Sequence, residues 1–249
     1  MTVEPAATFK LRSESAHPDW TVMERASCPV CETRFEYLRI RDSAAQPSSR
    51  ESDFRVVYRG ADPSRYVVTI CPECSYASLP DDWADISLKE TAALRAARGD
   101  RQGAPYLCGD RSDDDVATAL DLALQCYAER ADGERRRAGL LHRRAWVERA
   151  RGDEEGERRW LTEARDAYRE AYERDDAADA EAFRLAYLVG DLSLRLESVK
   201  LASQWLAEAV GWTEHREGEV GAEVPPALAR MARDRLGDAR TALRLIEGG

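Results

Sequence analysis

Apolar and polar positions follow two different periods along the chain, and the change divides it into a strand-like first third and a helical remainder. The segments "FRVVYR" (54–59) and "RYVVTI" (65–70) alternate apolar and polar residues, as half-buried β-strands do. The turn signal "GADPS" separates them, so they predict a β-hairpin that leads directly into Cys71. The segment "RFEYLRIR", shortly after Cys31, predicts another strand.

The stretch "DSAAQPSSRES" (42–52) has no residue suited to a core, and its composition predicts a polar loop. This loop and the hairpin lie between two cysteine pairs that are separated by 39 residues. A compact zinc ribbon needs only about 15–20 residues there. The extra length is therefore assigned to one strand and the loop.

From about residue 87 the pattern becomes helical. Ser87 with Glu90 and Ser112 with Asp115 each form a capping box, which predicts a helix start, and Gly99 would end the first helix. The domain boundary falls within residues 81–112. Five or six helices follow it, with breaks predicted at "RADGER", "RGDEEG", "ERDDAAD", "VGD" or "RLES", and "EGEVGAEVPP".

The helical part contains an internal repeat. Small and large residues recur at the same offsets 38 residues apart, at Ala164, Tyr168 and Ala171 and then at Ala202, Leu206 and Ala209. In tetratricopeptide-type hairpins, small residues let one helix approach the next closely. We therefore expect lengthened tetratricopeptide-like repeats, with an ordinary amphipathic bundle as the alternative.

These patterns predict an α+β fold that is mostly α. A small zinc-ribbon-like β-module occupies residues 1–85, a helix and linker occupy residues 86–112, and a tetratricopeptide-like antiparallel helical-hairpin domain occupies residues 113–249.

The composition is that of a soluble globular protein, since 43% of the 249 residues are hydrophobic and 34% are charged. No run reaches the roughly 18 apolar residues of a membrane span, and the first residues lack a signal-peptide pattern. We therefore expect a cytoplasmic protein with no membrane partner. Thiols stay reduced in that compartment, which favours metal or redox chemistry for CxxC pairs over structural disulfides.

The formal net charge of −10 argues against nucleic acid as a partner, because phosphate binding needs clustered basic residues. Neither part of the chain is basic. Residues 1–85 carry 10 basic and 14 acidic side chains, and residues 86–249 carry 27 and 33.

The two "CPxC" pairs carry the clearest chemistry in the sequence. They supply Cys28, Cys31, Cys71 and Cys74, the four sulfurs that a tetrahedral Zn²⁺ ion requires. Proline follows the first cysteine of each pair, which suits a zinc knuckle, whereas in redox pairs proline tends to precede the second cysteine. Four sulfur ligands leave no open position for water, so the zinc should be structural. Iron takes the same ligand set, and the sequence does not distinguish the two metals.

Two positions depart from the usual knuckle. Glu32 and Ser75 stand just after the second cysteines, where glycine usually adopts a left-handed backbone conformation, so we expect slightly strained knuckles. The other two cysteines are expected outside the site. Cys126 lies on an apolar helical stripe and should be a small core residue, and Cys108 is interpreted as an incidental loop cysteine.

No recognisable catalytic motif occurs in the sequence. The three histidines are scattered, and no P-loop, G-x-S-x-G, G-x-G-x-x-G or HExxH pattern is present, so no catalytic residues and no enzyme activity are predicted. The helical part is rich in large rings, most of them expected in seams between helices and some in a groove that accepts a peptide. These rings are Trp146, Trp160, Tyr168, Tyr172, Tyr187, Trp205 and Trp212.

The chain as a whole resembles a bacterial and archaeal family known as domain of unknown function 2225. The resemblance spans residues 28–240 and rests on segments such as "CPVCETRFEYLRIR", "DFRVVYRGADPSRYVVTICPECSYAS" and "YLVGDLSLRLESVKLASQWLAEAV". It implies a metal-binding module joined to tetratricopeptide-like helices, and it implies no reaction. Glu32 and Ser75 depart from the family, whose members commonly have glycine there.

Together these observations predict a non-enzymatic zinc-binding protein that acts as an interaction or scaffold module, with a protein partner that the sequence does not identify. Two alternatives stay open. The zinc module could bind nucleic acid, or its thiols could form a redox- or metal-responsive switch.

Overall fold

The structure is a computed structural model, and it describes residues 8–9, 18–97, 99, 105–131, 133–174, 179–214 and 224–248. The β-strands in these ranges are β1 (Thr8–Phe9), β2 (Thr21–Ser27), β3 (Arg34–Ile40), β4 (Gln46–Arg50), β5 (Val56–Arg59), β6 (Thr69–Ile70) and β7 (Ala77–Ser78). The α-helices are α1 (Leu88–Ala96), α2 (Asp113–Ala128), α3 (Gly133–Arg151), α4 (Glu154–Arg174), α5 (Asp179–Arg195), α6 (Val199–Glu214) and α7 (Pro226–Glu247).

The chain forms two compact units. The first unit comprises Met1–Arg50 and Val56–Arg136, and the second comprises Glu51–Arg55 and Arg137–Gly249. The fold is therefore α+β and mostly α, as the sequence predicts, with small sheets near the amino terminus and helices over the rest of the described chain.

Three small sheets belong to the first part of the chain. In the largest sheet, with strand order β1-β3-β2, β3 pairs antiparallel with β2 and parallel with β1. The strand predicted in "RFEYLRIR" is confirmed as β3. Leu38 and Ile40 are buried on one face of β3, where they pack with Tyr66, and Phe35 is buried on the opposite face beside Trp83, so both faces of this strand are partly covered.

The predicted hairpin between "FRVVYR" and "RYVVTI" is wrong. β5 pairs with β4, and β6 pairs with β7. Between β5 and β6 the chain forms a 3-10 turn at Pro63–Tyr66. Pro63 begins this turn, and the Asp62 carboxylate accepts a hydrogen bond from the Ser64 amide at 2.9 Å. This local capping competes with strand geometry at the start of the second segment.

The polar loop predicted for residues 42–52 is also wrong in its middle. Residues Gln46–Arg50 form β4, whose side chains are all exposed. A shift in register between Pro47 and Ser49 accommodates the proline in the ladder. Because none of these side chains is buried, the sequence lacks the alternation that normally indicates a strand.

The helix starts follow the sequence closely. Both capping boxes are present, at Ser87 with Glu90 and at Ser112 with Asp115. Six helices, α2 to α7, follow residue 112 in the described ranges. Of the two alternative breaks, "RLES" is correct, since α5 continues through "VGD" and ends at Arg195. Glu197, with φ of 61°, reverses the chain after α5.

Consecutive helices pack against one another in the second unit, α4 with α5, α5 with α6, and α6 with α7. All six repeated positions are buried, namely Ala164, Tyr168, Ala171, Ala202, Leu206 and Ala209. α5 approaches α6 closely at Gly190, where an added Cβ would lie 2.6 Å from Leu206 Cγ and 2.9 Å from Leu206 N. Glycine is thus required for α5 and α6 to meet at this distance.

Across the described residues, every helix is too short or too polar to cross a lipid bilayer.

Candidate metal centre

Each cysteine pair lies in the turn of a short β-hairpin. β2 and β3 pair down to Ser27 and Arg34, and the first knuckle (residues 28–33) connects them. β6 and β7 pair down to Ile70 and Ala77, and the second knuckle (residues 71–76) connects them. The strand registers therefore fix where each cysteine pair is presented.

The two knuckles have the same backbone hydrogen bonds. The Cys28 amide donates to the Thr33 carbonyl at 2.9 Å, and the Cys71 amide donates to the Tyr76 carbonyl at 2.8 Å. Each six-residue turn is thus closed at its base in the same way, although the residues that close it differ in chemistry.

A second bond inside each knuckle turns the chain back on itself. The amides of Glu32 and Ser75 donate to the carbonyls of Cys28 and Cys71, each at 2.9 Å. Both donors have positive φ, 64° for Glu32 and 55° for Ser75, which confirms the expected strain. A left-handed conformation costs a non-glycine residue roughly 1–2 kcal/mol.

The two knuckles bring all four cysteine sulfurs together. Cys28 Sγ lies 3.6 Å from Cys74 Sγ, and Cys31 Sγ lies 3.5 Å from Cys71 Sγ. All four sulfurs lie within 4.8 Å of one another. A tetrahedral zinc ion with Zn–S bonds of about 2.3 Å would separate its sulfurs by about 3.8 Å. The four cysteines could therefore hold a metal ion.

The site is sheltered except at one sulfur. Cys28, Cys71 and Cys74 are buried, and Cys31 is half-buried. The Tyr76 amide hydrogen-bonds to the Cys74 sulfur, and the Cys31 sulfur lies 3.3 Å from the Thr33 hydroxyl. Hydrogen bonds of this kind orient thiolate ligands and stabilise their charge.

Four sulfurs this close in a buried site cannot all be negative unless a cation lies among them. Hydrogen bonding with Cys31 raises the pKa of Cys28, and hydrogen bonding with Cys28 raises the pKa of Cys71. Hydrogen bonding with Cys28 also lowers the pKa of Cys31 and of Cys74. The thiols titrate as one coupled set, so a bound divalent cation would favour the fully ionised form.

Helix α1 contacts the first knuckle through one side chain. Arg95 Nε donates to the Val30 carbonyl at 2.5 Å, and Arg95 Nη2 lies 3.9 Å from Glu32 Oε1. The arginine thus fixes the knuckle backbone between the two cysteines.

Cys108 and Cys126 lie outside the four-sulfur group. Cys126 is fully buried and accepts a hydrogen bond from the Ala77 amide at 3.4 Å, so the prediction of a small core residue is confirmed. Cys108 is also buried, and its thiol donates to the Ile70 carbonyl at 3.4 Å. Burial raises the pKa of Cys108 to about 12, which keeps this thiol protonated and unreactive.

The second unit contains a polar cluster that the sequence analysis missed. The Asp53 side chain is fully buried, and its Oδ2 atom accepts three hydrogen bonds. The donors are Arg149 Nη2 at 2.8 Å, Trp146 Nε1 at 3.1 Å and His142 Nε2 at 3.3 Å. These donors are four and three residues apart, which puts them on one face of α3. This spacing is the feature of the sequence from which a polar cluster could have been predicted.

The charge states in this cluster follow from burial and contacts. Burial opposes ionisation of Asp53, but the hydrogen bond from His142 and the charges of Arg195 and Arg149 outweigh it and hold its pKa well below the usual range. Burial lowers the pKa of His142 despite Asp53. A neutral His142 can donate from Nε2 to Asp53 and accept at Nδ1 from the Tyr168 hydroxyl, which lies 3.4 Å away.

Comparison with known proteins places the chain in a family. Residues 22–237 match the family described as "uncharacterized protein conserved in bacteria" (DUF2225). The match covers most of the chain, so this protein belongs to that family, as the resemblance in the sequence indicated. No curated protein and no solved structure matched the chain. The family description names no activity.

Proposed function

We propose that this protein is a cytoplasmic zinc-binding scaffold without enzyme activity, in which a structural zinc ion stabilises the first unit and the helical unit binds a protein partner. The observation that carries the proposal is the convergence of four cysteine sulfurs from two hairpin turns within 4.8 Å.

The chemistry of the site favours a structural ion over a catalytic one. Four thiolates would saturate a tetrahedral zinc ion, so no position remains for water or a substrate. Burial of Cys28, Cys71 and Cys74 restricts access further. The ion would stabilise the fold, and it would have no free coordination position at which a substrate could react.

The energy of zinc binding is large compared with what the short sheets supply. β6 and β7 contain two residues each, and such a hairpin is not stable alone. Structural zinc sites contribute on the order of 10–16 kcal/mol at neutral pH. We infer that zinc decides whether the region around both knuckles folds.

The helical unit supports the interaction part of the proposal. Its helices pack in chain order, and alanines recur at the buried positions where α4 and α6 repeat the same spacing. We infer that these helices are lengthened tetratricopeptide-like repeats. Stacked helical hairpins of this kind commonly present a surface to a peptide segment of a partner.

Elemental analysis of the purified full-length protein tests the metal site. One zinc ion per chain is expected, and cobalt substitution should give the d–d absorption of a tetrahedral thiolate site. Cys71→Ser should lose the metal, and Cys108→Ala, which changes a buried thiol outside the group, should keep it. If iron is found in place of zinc, the proposed identity of the metal is wrong but the site is right. If no stoichiometric metal is found, the proposal is overturned.

Affinity capture from the protein's own cells tests the scaffold role. Proteins captured by the wild type and not by an unrelated bait should be identified, purified and shown to bind the purified chain directly. If no captured protein binds in the purified system, the scaffold role is wrong, whatever the metal content.

A further inference from the structure

The turn Glu51–Arg55 is bound by the helices of the second unit in the manner of a short peptide ligand. The turn is closed by the Glu51 amide, which donates to the Arg55 carbonyl at 2.8 Å. Four of its five side chains contact helical residues, through ion pairs, hydrogen bonds and an aromatic stack.

The acidic position is recognised by a complete set of donors. The Asp53 carboxylate accepts hydrogen bonds from Arg149, Trp146 and His142, and Arg195 Nη2 lies 3.7 Å from its second oxygen. A buried carboxylate is tolerated only when charge and hydrogen bonds compensate it fully. The pocket is therefore specific for a negatively charged group.

Glu51 and Ser52 add polar contacts beside this pocket. Glu51 forms an ion pair with Arg149. The Ser52 hydroxyl lies 3.2 Å from Asp191 Oδ2 and 3.0 Å from Arg195 Nη2. Asp191 is itself buried and paired with Arg235 at 2.6 Å, so the helices hold these groups in place around the turn.

The aromatic position and the main chain are recognised by one tyrosine. Phe54 stacks on Tyr187 with ring centroids 5.1 Å apart, and the Tyr187 hydroxyl donates to the Ser52 carbonyl at 2.8 Å. Phe54 has φ of 68°, a conformation that a large side chain adopts only when its contacts enforce it. The turn is therefore bound in a strained state.

We propose that the helical surface around Arg149, Trp146 and Tyr187 is a peptide-recognition site for segments in which an aspartate precedes an aromatic residue, and that the turn Glu51–Arg55 is its internal occupant. The pocket supplies a carboxylate site, an aromatic platform and a hydroxyl donor to a main-chain carbonyl. This inference rests on the scaffold role proposed above and names the chemistry of the partner segment. A partner would have to displace the turn, and release of the strain at Phe54 favours displacement.

Isothermal titration of full-length protein with a synthetic peptide tests this. The probe is acetyl-Glu-Ser-Asp-Phe-Arg-amide, and the control peptide has asparagine in place of aspartate. Asp53→Asn weakens the internal occupant by removing its charge, so this variant should bind the probe one to one at least ~10-fold more tightly than the wild type does. Its melting temperature should rise with the probe and not with the control peptide.

Two results overturn the inference. The first is a folded Asp53→Asn variant that binds neither peptide or binds both equally. The second concerns an Asp53→Asn variant that does not fold. The inference predicts that the probe restores the helical circular dichroism of this variant and that the control peptide does not. If the probe does not restore the helical signal, and a Phe54→Ala variant also does not bind the probe, the proposed site is refuted.

The outcome is independent of the metal and of the natural partner. A protein without zinc could still bind the probe, and capture experiments that find no partner would leave a measured affinity for the probe intact. Failure of the peptide site and failure of the scaffold role are therefore distinguishable.

Discussion

Cys31 Sγ and Cys71 Sγ lie 3.5 Å apart, although the two residues are 40 positions apart in the chain. The Cys28 and Cys74 sulfurs lie 3.6 Å apart across the same site. Both contacts join one knuckle to the other. The site therefore links two distant parts of the chain, and its response to oxidation should reflect that pairing.

Oxidation after zinc removal should form disulfides between the knuckles. A hydroperoxide takes two electrons from a thiol pair and is reduced to water and an alcohol, or to two waters for hydrogen peroxide. Because the sulfurs at 3.5–3.6 Å need only a small shift to reach the S–S bond length of about 2.05 Å, Cys31–Cys71 and Cys28–Cys74 are the expected products. Mass spectrometry of non-reduced proteolytic peptides identifies the pairs, and Cys108→Ala should give the same ones. A majority of Cys28–Cys31 and Cys71–Cys74 products would contradict the prediction.

Glycine at the strained knuckle positions should stabilise the metal-loaded protein. Glu32→Gly and Ser75→Gly relieve positive φ values of 64° and 55°, and each should raise the free energy of unfolding by about 1 kcal/mol. Thermal denaturation of the zinc-loaded protein measures the change. Glu73→Gly is the control, because Glu73 lies in the second knuckle outside the positive-φ set and glycine there should lower stability. Equal effects at all three positions would show that backbone strain is not the cause.

Gly190→Ala should destabilise the helical unit. Alanine normally stabilises a helix by about 1 kcal/mol relative to glycine, but a Cβ at this position would lie 2.6 Å from Leu206 Cγ and 2.9 Å from its backbone nitrogen. Separating α5 from α6 to make room should cost about 1–3 kcal/mol. Denaturant unfolding followed by far-ultraviolet circular dichroism measures it.

The matched control for this substitution is Gly237→Ala in α7, where the added Cβ would have no contact within 4 Å beyond its chain neighbours and the helix's own backbone. This variant should gain about 1 kcal/mol. If the two alanines stabilise the protein equally, the close approach of α5 and α6 is not real.

Acid should destabilise the second unit in two stages. The pKa of His142 is lowered by burial in the folded protein, so the unfolded chain binds the proton more readily and stability falls as the pH drops below about 6.5. The pKa of Asp53 is also lowered in the folded protein, so a further loss begins as the pH drops below about 3.9. Denaturant midpoints, measured by helical circular dichroism at a series of pH values, show how stability changes with pH.

His142→Gln removes the first titration while keeping an amide donor for Asp53. In this variant the free energy of unfolding should change much less with pH between about pH 6.5 and 5 than it does in the wild type. Acid effects at the cysteines are the same in both proteins, so they cancel in the difference. An unchanged slope would mean that His142 is not the titrating group.

Local signals in the sequence predicted the features that depend on a few neighbouring residues. The spacing in "CPVC" and "CPEC" predicted two similar turns, and Ser87 and Ser112 predicted two helix starts that the structure confirms. The positive φ of Glu32 and Ser75 followed from the knuckle geometry alone. Each of these depends on interactions within six residues, which a single sequence displays directly.

The features that depend on distant partners could not be predicted in the same way. β4 has five exposed side chains, and it pairs with β5 through backbone groups and one bond from the Ser48 hydroxyl to the Val57 carbonyl, so no apolar pattern in the sequence indicates this strand. Asp53 reads as a solvated acid in a polar stretch, and its burial depends on donors about 90 residues further along the chain. His142, Trp146 and Arg149 share a helix face, but this spacing does not indicate which group they bind.

The placement of each cysteine pair in its own hairpin turn has a consequence for biosynthesis. The first pair leaves the ribosome 43 residues before the second, a delay of roughly 2–9 seconds at ordinary translation rates. Two sulfurs cannot saturate a tetrahedral ion, so tight capture must wait until the later turn has emerged. Tight binding of an ion would therefore require that the nascent polypeptide has first been extended past residue 74.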